Sequence, residues 1–330
     1  MGIKFSLLVV AALIAVVFLG VKVVGMYYFF GVIIPYLAIL TFVGGFVYRI
    51  MNWARSPVPF VIPTTAGQQY SFPWIKQNKL DNPSTTAGAI GRMALEVLLF
   101  RSLFRNSKVE LRDGPKLTYQ WEKWLWLAGL LFHWSFLVIF IRHLRFFTEP
   151  VPGFVHLADT LDGILQVGLP GIYLTDGLIL ATVTYLFIRR VVIPQMKYIS
   201  LPADYFPLFL ILALATSGIL MRYFIRVDLL KVKELAMGLV SFHPTVPEGI
   251  GVMFFIHFFL VCTLFAYFPF SKLMHLGGVF LSPTRNMPND SRMVRHVNPW
   301  DYPVKVHTYE EYEDHFREKM IEAGLPVEKE

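Results

Sequence analysis

The sequence predicts an all-α integral membrane protein: a six-transmembrane-helix bundle with a polar C-terminal tail. Three observations predict it. Of 330 residues, 55% are hydrophobic and only 16% charged, whereas soluble domains carry about 25% charge. Apolar runs near the ~20 residues needed to cross a bilayer recur six times. Histidines fall inside two of these runs, where a polar ring is costly and marks function.

The six spans are expected at residues 5–24, 28–53, 123–147, 174–193, 205–224 and 249–270, the last continuing to His275. Pro269 should kink or break that helix, because proline lacks a backbone donor and clashes with the preceding turn. The run at 5–20 has a single lysine before it, no small-residue cleavage signature and a second span close behind. It reads as a retained helix rather than a signal peptide. Basic residues crowd the segment 54–122, the stretch after Arg189 and the stretch from Lys272 onward, and none lies between Arg145 and Arg189. The positive-inside rule then places both termini in the cytoplasm of a multi-pass inner-membrane protein. Arg226, Lys231 and Lys233 fit that orientation poorly. The net charge of +7 is spread through loops without a long basic run, which is topology signal and not a nucleic-acid footprint. The single cysteine, Cys262, excludes an intramolecular disulfide, a four-cysteine iron–sulfur cluster within the chain and a covalent C-x-x-C-H haem site.

Four regions follow. Residues 1–53 hold two N-terminal spans. Residues 54–121 form a cytoplasmic loop with a short helix at 87–104. Residues 122–275 form a four-helix domain that carries the histidines, and 276–330 form a cytoplasmic tail. Prolines disfavour regular structure early in the loop, yet Phe60, Tyr70, Phe72, Trp74 and Ile75 indicate that it packs against something. The tail should end in a charged helix at 309–323, stopped by Gly324 and Pro326. Trp300, Tyr302, Tyr309, Tyr312 and Phe316 favour a partner-docking arm over a disordered tail.

His133 and His143 lie ten residues apart on the third span, and His257 and His275 eighteen apart on the sixth. On ideal helices these separations rise about 15 and 27 Å. The two spans run antiparallel, so His143 pairs in depth with His257, and His133 with His275. Tilt and the Pro269 kink must absorb the unequal rises. Facing imidazoles across a bundle suit axial ligation of haem iron from both sides. The bland alternative is polar rings hydrogen-bonded between helices. Gly129, one turn before His133, would leave room for a flat macrocycle. Arg142, Arg145 and Lys272 are placed to hold haem carboxylates, or simply to snorkel at span ends. His156, His243, His296, His307 and His315 lie in loops or tail and are assigned no iron.

The two histidine-bearing spans and the stretch FPFSKLMH (268–275) resemble the nitrate-reductase gamma-subunit family of diheme cytochromes b. Loop stretches such as GQQYSFPWIKQNKLDNP, FIRHLRFFTEP and SLPADYFPLFLIL are similar to its DsrM branch, the membrane cytochromes b of DsrMKJOP complexes in sulfate-reducing prokaryotes. The resemblance implies two haem b groups, an outer one on His143 and His257 and an inner one on His133 and His275. It implies electron exchange with menaquinone near the outer haem, and a cytoplasmic iron–sulfur partner of the heterodisulfide-reductase-like DsrK type. No residue is assigned a catalytic role of its own. In the nitrate-reductase branch a lysine on the following helix helps bind quinone. No lysine lies between Lys123 and Lys197 here, and Arg142, Arg145 and Glu149 are the stand-ins. Rival readings are a haem-free structural anchor, a transporter with histidines on a proton path, and the gamma-type anchor of another respiratory reductase.

Overall fold

Why the chain crosses a membrane is visible helix by helix in a computed structural model, which describes residues 2–56, 58, 60–114, 116–163, 171–293, 303 and 305–328. His296, Trp300 and Tyr302 lie outside the described residues. Five helical stretches are long and apolar enough to span a bilayer: Gly2–Lys22, Phe29–Ala54, Lys123–Phe146, Pro202–Ile225 and Val252–Phe270. The chain is a multi-pass membrane protein. The fourth expected span is a helix too, Leu174–Val192, but it carries Asp176 in its first turn and Arg189 and Arg190 in its last. Those charges suit the helix dipole and leave it short of a purely apolar span.

The helices of the bundle are α1 (Gly2–Lys22), α2 (Ile34–Ala54, entered through a π-helical turn at Phe29–Ile33), α5 (Lys123–His143), α7 (Leu174–Val192), α9 (Pro202–Leu220) and α11 (Val252–Tyr267); the shorter α6 (Gly153–Asp162) precedes α7 and α8 (Pro194–Ile199) follows it. α1, α9 and α11 pack on one another, α2 packs on α11, and α7 lies between α9 and α5. The core that α1, the π-helical entry to α2, α9 and α11 share with α10 (Leu229–Val240) includes Val17, Phe30, Leu210, Leu235, Phe255 and Leu260, all buried. Lipid tails are as apolar as these side chains, so close van der Waals fit and not water exclusion holds such helices together. Gly45 shows the fit: a Cβ there would lie 2.8 Å from Cβ of Pro269, so α2 meets that turn only with a hydrogen as side chain.

The sixth span does not run unbroken to His275. After Tyr267 come a 3₁₀ turn at Phe268–Phe270, an extended Ser271 (φ −120°, ψ 177°), a second 3₁₀ turn at Lys272–Met274 and the short α12 (His275–Gly278). Proline at 269 cannot donate into the helix ladder, and the Ser271 hydroxyl accepts from Leu273 N–H, starting the next turn afresh. The 27 Å rise expected of an ideal helix therefore does not apply.

The segments expected in the cytoplasm gather at one end of the bundle. There Ser6 donates to the Pro202 carbonyl, Lys272 pairs with Asp204 at 2.7 Å, and Arg189 pairs with Glu122 at 3.2 Å. At the other end Lys233 pairs with Glu149 and Lys231 donates to the Glu248 carbonyl. Two of the basic residues that fitted the orientation poorly are thus neutralised or spoken for.

The loop 54–121 is more ordered than its prolines suggested. Its helix is split into α3 (Thr86–Leu99) and α4 (Arg101–Phe104) by Phe100, whose φ of 50° is left-handed. A hairpin follows, β1 (Ser107–Arg112) and β2 (Lys116–Trp121), a pairing the sequence reading missed. Asp113-Gly114 between alternating apolar residues was its signal, and Gly114 takes the positive φ of 82° such a turn needs. The first part of the tail closes onto this loop: Ile62 N–H donates to the Pro283 carbonyl, Asn289 N–H to the Pro83 carbonyl, and Arg92 to the Thr284 carbonyl. Residues 282–289 are thus part of a cap, not a free arm. Further on, α13 (Tyr309–Glu322) starts at a Thr308–Glu311 capping box.

Asp81 is the polar hub of the cap, accepting from Arg101 at 2.8 Å, from Arg105 and from Asn78. Burial pushes its carboxyl up, but the two arginines and Asn78 outweigh this and hold it below the ordinary value. A depressed folded-state pKa adds stability above the unfolded pKa, and that stability is lost as pH falls through the folded value. Hydrogen-exchange protection factors of α3 and α4, which are normalised for the intrinsic pH dependence of exchange, should therefore fall below about pH 4. Asp81→Asn should show the reduced protection already at neutral pH.

Candidate functional site

The two histidine pairs define the site. The imidazoles of His143 and His257 face each other with ring centroids 6.4 Å apart and planes only 17° from parallel. Those of His133 and His275 lie 5.8 Å apart with planes at 81°. α5 leans on α7 and not along α11, so the rings reach toward one another across the space between the helices. Two imidazoles trans on one metal, each about 2 Å from it and with about 1.2 Å from nitrogen to ring centre, have centroids roughly 6.3 Å apart. Both pairs fall close to that separation.

The second ring nitrogens settle which atom points inward. Nδ1 of His133 lies 2.7 Å from the Gly129 carbonyl, Nδ1 of His143 2.7 Å from the Ile139 carbonyl, and Nδ1 of His275 2.9 Å from the Lys272 carbonyl. A carbonyl can only accept, so each Nδ1 carries a proton, and in the neutral ring Nε2 is the nitrogen with the free lone pair. His257 reaches the same state differently. Its Nδ1 lies 2.9 Å from the Ser217 hydroxyl, which in turn donates to the Leu214 carbonyl at 3.0 Å. Fixing Nδ1–H in this way orients a ligating histidine and raises its basicity. Four imidazoles in two opposed pairs, each with Nδ1 engaged so that its neutral form offers Nε2, fit the donor chemistry of two bis-histidine haem sites.

Residues missed in sequence support this geometry. Ser217 is buried on α9, and beside it a Cβ at Gly218 would lie 3.4 Å from Cε1 of His257. A Ser-Gly step inside an apolar span was the available signal. Phe100 holds its left-handed backbone where α3 breaks, and its ring meets His133 edge-on at 4.9 Å. The carbonyls freed at that break accept from α5 indoles, Leu99 from Trp126 at 2.7 Å and Leu98 from Trp134 at 3.1 Å. A strained aromatic residue thus docks the cap against the inner histidine. Gly129 serves through its carbonyl, and a Cβ there would meet only Leu103 at 3.6 Å.

The basic residues expected near the haems are largely committed to carboxylates. Arg142 is buried at 8% exposure and pairs with Asp162, itself 4% exposed. Arg142 also donates to Thr175 at 3.2 Å, and its guanidinium lies 3.4 Å from the Tyr173 ring centre. Arg145 pairs with Asp159 at 2.7 Å. Burial pushes Asp159 up, but hydrogen bonds from Tyr173 and Arg145 hold its carboxyl below the ordinary value. Glu149 pairs with Lys233, and Lys272 with Asp204. Around the His143/His257 end this builds a continuous polar shell. Tyr173 donates to Asp159, Tyr223 to Asp176, and the Arg222 guanidinium also lies 3.9 Å from the Tyr173 ring centre.

Comparisons with known proteins agree with a chain of this construction. A cytochrome b-like subunit of an Hdr-like menaquinol oxidoreductase from Archaeoglobus fulgidus is 49% identical over 279 residues, covering 82% of this chain and 83% of that protein. The corresponding subunit of Archaeoglobus profundus is 46% identical over 275 residues, covering 81% of each chain. The gamma chain of respiratory nitrate reductase 1 of Escherichia coli is 27% identical over 183 residues, 51% of this chain and 77% of that one. The family profile described as nitrate reductase gamma subunit matches residues 93–296, a span that contains α5, α11, α12 and all four paired histidines, and the chain belongs to that family.

Proposed function

We propose that the chain is the diheme cytochrome b subunit of a membrane-bound redox complex. It passes electrons between menaquinol and a cytoplasmic iron–sulfur partner related to heterodisulfide reductase, as DsrM-type subunits do in dissimilatory sulfate and sulfite respiration. The single observation that carries the reading is the pair of opposed imidazole couples, at 6.4 and 5.8 Å, with every Nδ1 engaged. The two archaeal relatives, cytochrome b-like subunits of Hdr-like menaquinol oxidoreductases, support exchange with menaquinol and membership of an Hdr-like complex. When bound, the haems supply one-electron transfer across the bilayer; the helices set their distance, orientation and potential.

In this reading α5 is common to both sites, contributing His143 to the outer pair and His133 to the inner pair. Arg142, Arg145 and Glu149 stand around the outer pair, where quinol exchange is placed. Their ion-pair partners, Asp162, Asp159 and Lys233, fix them, so they shape the pocket and its potential and do not swing free to bind. The cap formed by 54–121 and 282–293, together with α13, faces the soluble partner. All six helices, α7 included, cross the bilayer, with both termini in the cytoplasm.

Reduced-minus-oxidised spectra of the purified chain test this reading. Two b-type haems per chain, both reducible by a menaquinol analogue, are expected. A haem-free chain of native fold would instead establish the structural-anchor reading.

A further inference from the structure

The end of the bundle at His275 contains a cleft of about 460 Å³, a size that suits part of a small-molecule ligand. Its wall includes His275, Arg49, Lys272 and Arg285, with Trp53 and the hydroxyl-bearing Ser271 and Ser282 beside them. Three cations stand there with no carboxylate among the described lining residues. Lys272 turns to Asp204. Arg49 and Arg285 form no ion pair among the described residues, and Nε of Arg49 is buried without a hydrogen-bond partner. A buried donor left so is costly unless an acceptor meets it.

The fold brings Arg49 to this place for an identifiable reason. α12 lies flush on the last turns of α2: a Cβ at Gly277 would sit 3.0 Å from Cδ1 of Ile50, and one at Gly278 3.5 Å from the Trp53 ring. These two glycines let the backbone that carries His275 approach the helix that carries Arg49. Arg285 arrives from the other side, on the 282–289 stretch that the cap holds through Ile62, Arg92 and Asn289.

We infer that Arg49 and Arg285 form the anion site for the carboxylates of the haem held by His133 and His275. This rests on the diheme reading above. A dianionic ring edge beside an axial histidine supplies the charge the cleft lacks, and two guanidinium forks match two carboxylates. Lys272, the residue the sequence pointed to, is then a structural partner of Asp204 and not the principal contact. The same chemistry could come from a lipid phosphate, which the test separates.

The test uses the full chain in nanodiscs, in a His257→Ala background so that only the inner haem is present. The rate of haem transfer to apomyoglobin is measured for haem b and for its dimethyl ester, which lacks both negative charges. Arg49→Gln and Arg285→Gln should each speed loss of haem b about tenfold, and Arg49→Lys should recover much of it. The dimethyl ester, which loses both contacts, should leave the parent chain at least as fast as haem b leaves either variant, with no further acceleration in the variants. Equal acceleration for both ligands would mean that the arginines act through packing, and would overturn the inference. Unchanged rates would overturn it as well. A rate set by phosphatidylglycerol content, and indifferent to esterification, would assign the cleft to lipid phosphate. If the background chain binds no haem, the diheme reading itself has failed, and this inference with it.

Discussion

Alanine at His143 is expected to leave the purified chain with one b-type haem in place of two and to abolish its reduction by a menaquinol analogue, while dithionite still reduces the remaining haem. His257→Ala should give the same phenotype, because the two imidazoles face each other at 6.4 Å and neither completes an axial pair alone. Ser217→Ala is the graded test. It removes the acceptor 2.9 Å from Nδ1 of His257 without touching the ligand, and the loss of such an outer partner weakens a metal site by about 10- to 100-fold. The outer haem should therefore survive purification and wash out faster than in the parent chain. Persistence of two quinol-reducible haems in His143→Ala would end the pairing proposed here.

The second large effect concerns stability. Asp162→Ala leaves Arg142 buried with its main counter-ion gone; a broken buried pair of this kind costs about 3–5 kcal/mol. Asp176, 3.8 Å from the other Arg142 nitrogen, should keep the loss toward the lower figure. Asp162 also accepts from the Thr175 backbone N–H at 2.8 Å, so the change unpins the start of α7 together with the arginine. Thermal unfolding in detergent should register the loss. The double variant Arg142→Met with Asp162→Ala should recover a large part of it, because no unpaired charge is left inside. Equal unfolding temperatures for Asp162→Ala and the parent would mean that the shell around His143 is solvated, contrary to its burial.

Much of the membrane architecture was legible because a bilayer simplifies the reading. Length and apolarity mark a span almost by themselves, and five such stretches stand where the hydrophobic runs predicted them. Leu174–Val192 was read as equivalent to the rest, yet its end charges set it apart. The four histidines were legible because a lone imidazole in a span demands a reason. Their depth pairing followed from helix direction, although the straight-helix rise was wrong: Ser271 and Pro269 break the path, and a spacing of eighteen residues does not carry that information. Ser217 and Phe100 beside the paired histidines, and Arg49 and Arg285 of the proposed anion site, were not legible from the sequence. Their roles depend on contacts between elements far apart in sequence, and neither a serine in a span nor an arginine at its end is distinctive. The hairpin at 107–121 was readable in principle from its turn and alternation, but prolines earlier in the loop drew attention to irregular structure.

The break at Ser271 also imposes an order in time. The outer pair is complete as soon as residue 257 has joined a bundle whose other members, α1, α2, α5, α7 and α9, are already made. The inner pair must wait for residue 275 to emerge. Its surroundings then depend on residues 282–289 closing over a loop synthesised some two hundred residues earlier, as the bond between Arg92 and the Thr284 carbonyl illustrates. Such long-separation contacts form late because loop closure precedes their reward. The nascent protein therefore assembles its two histidine pairs in sequence, His143 with His257 first and His133 with His275 last. An interrupted or proteolysed chain would hold the first pair without the second.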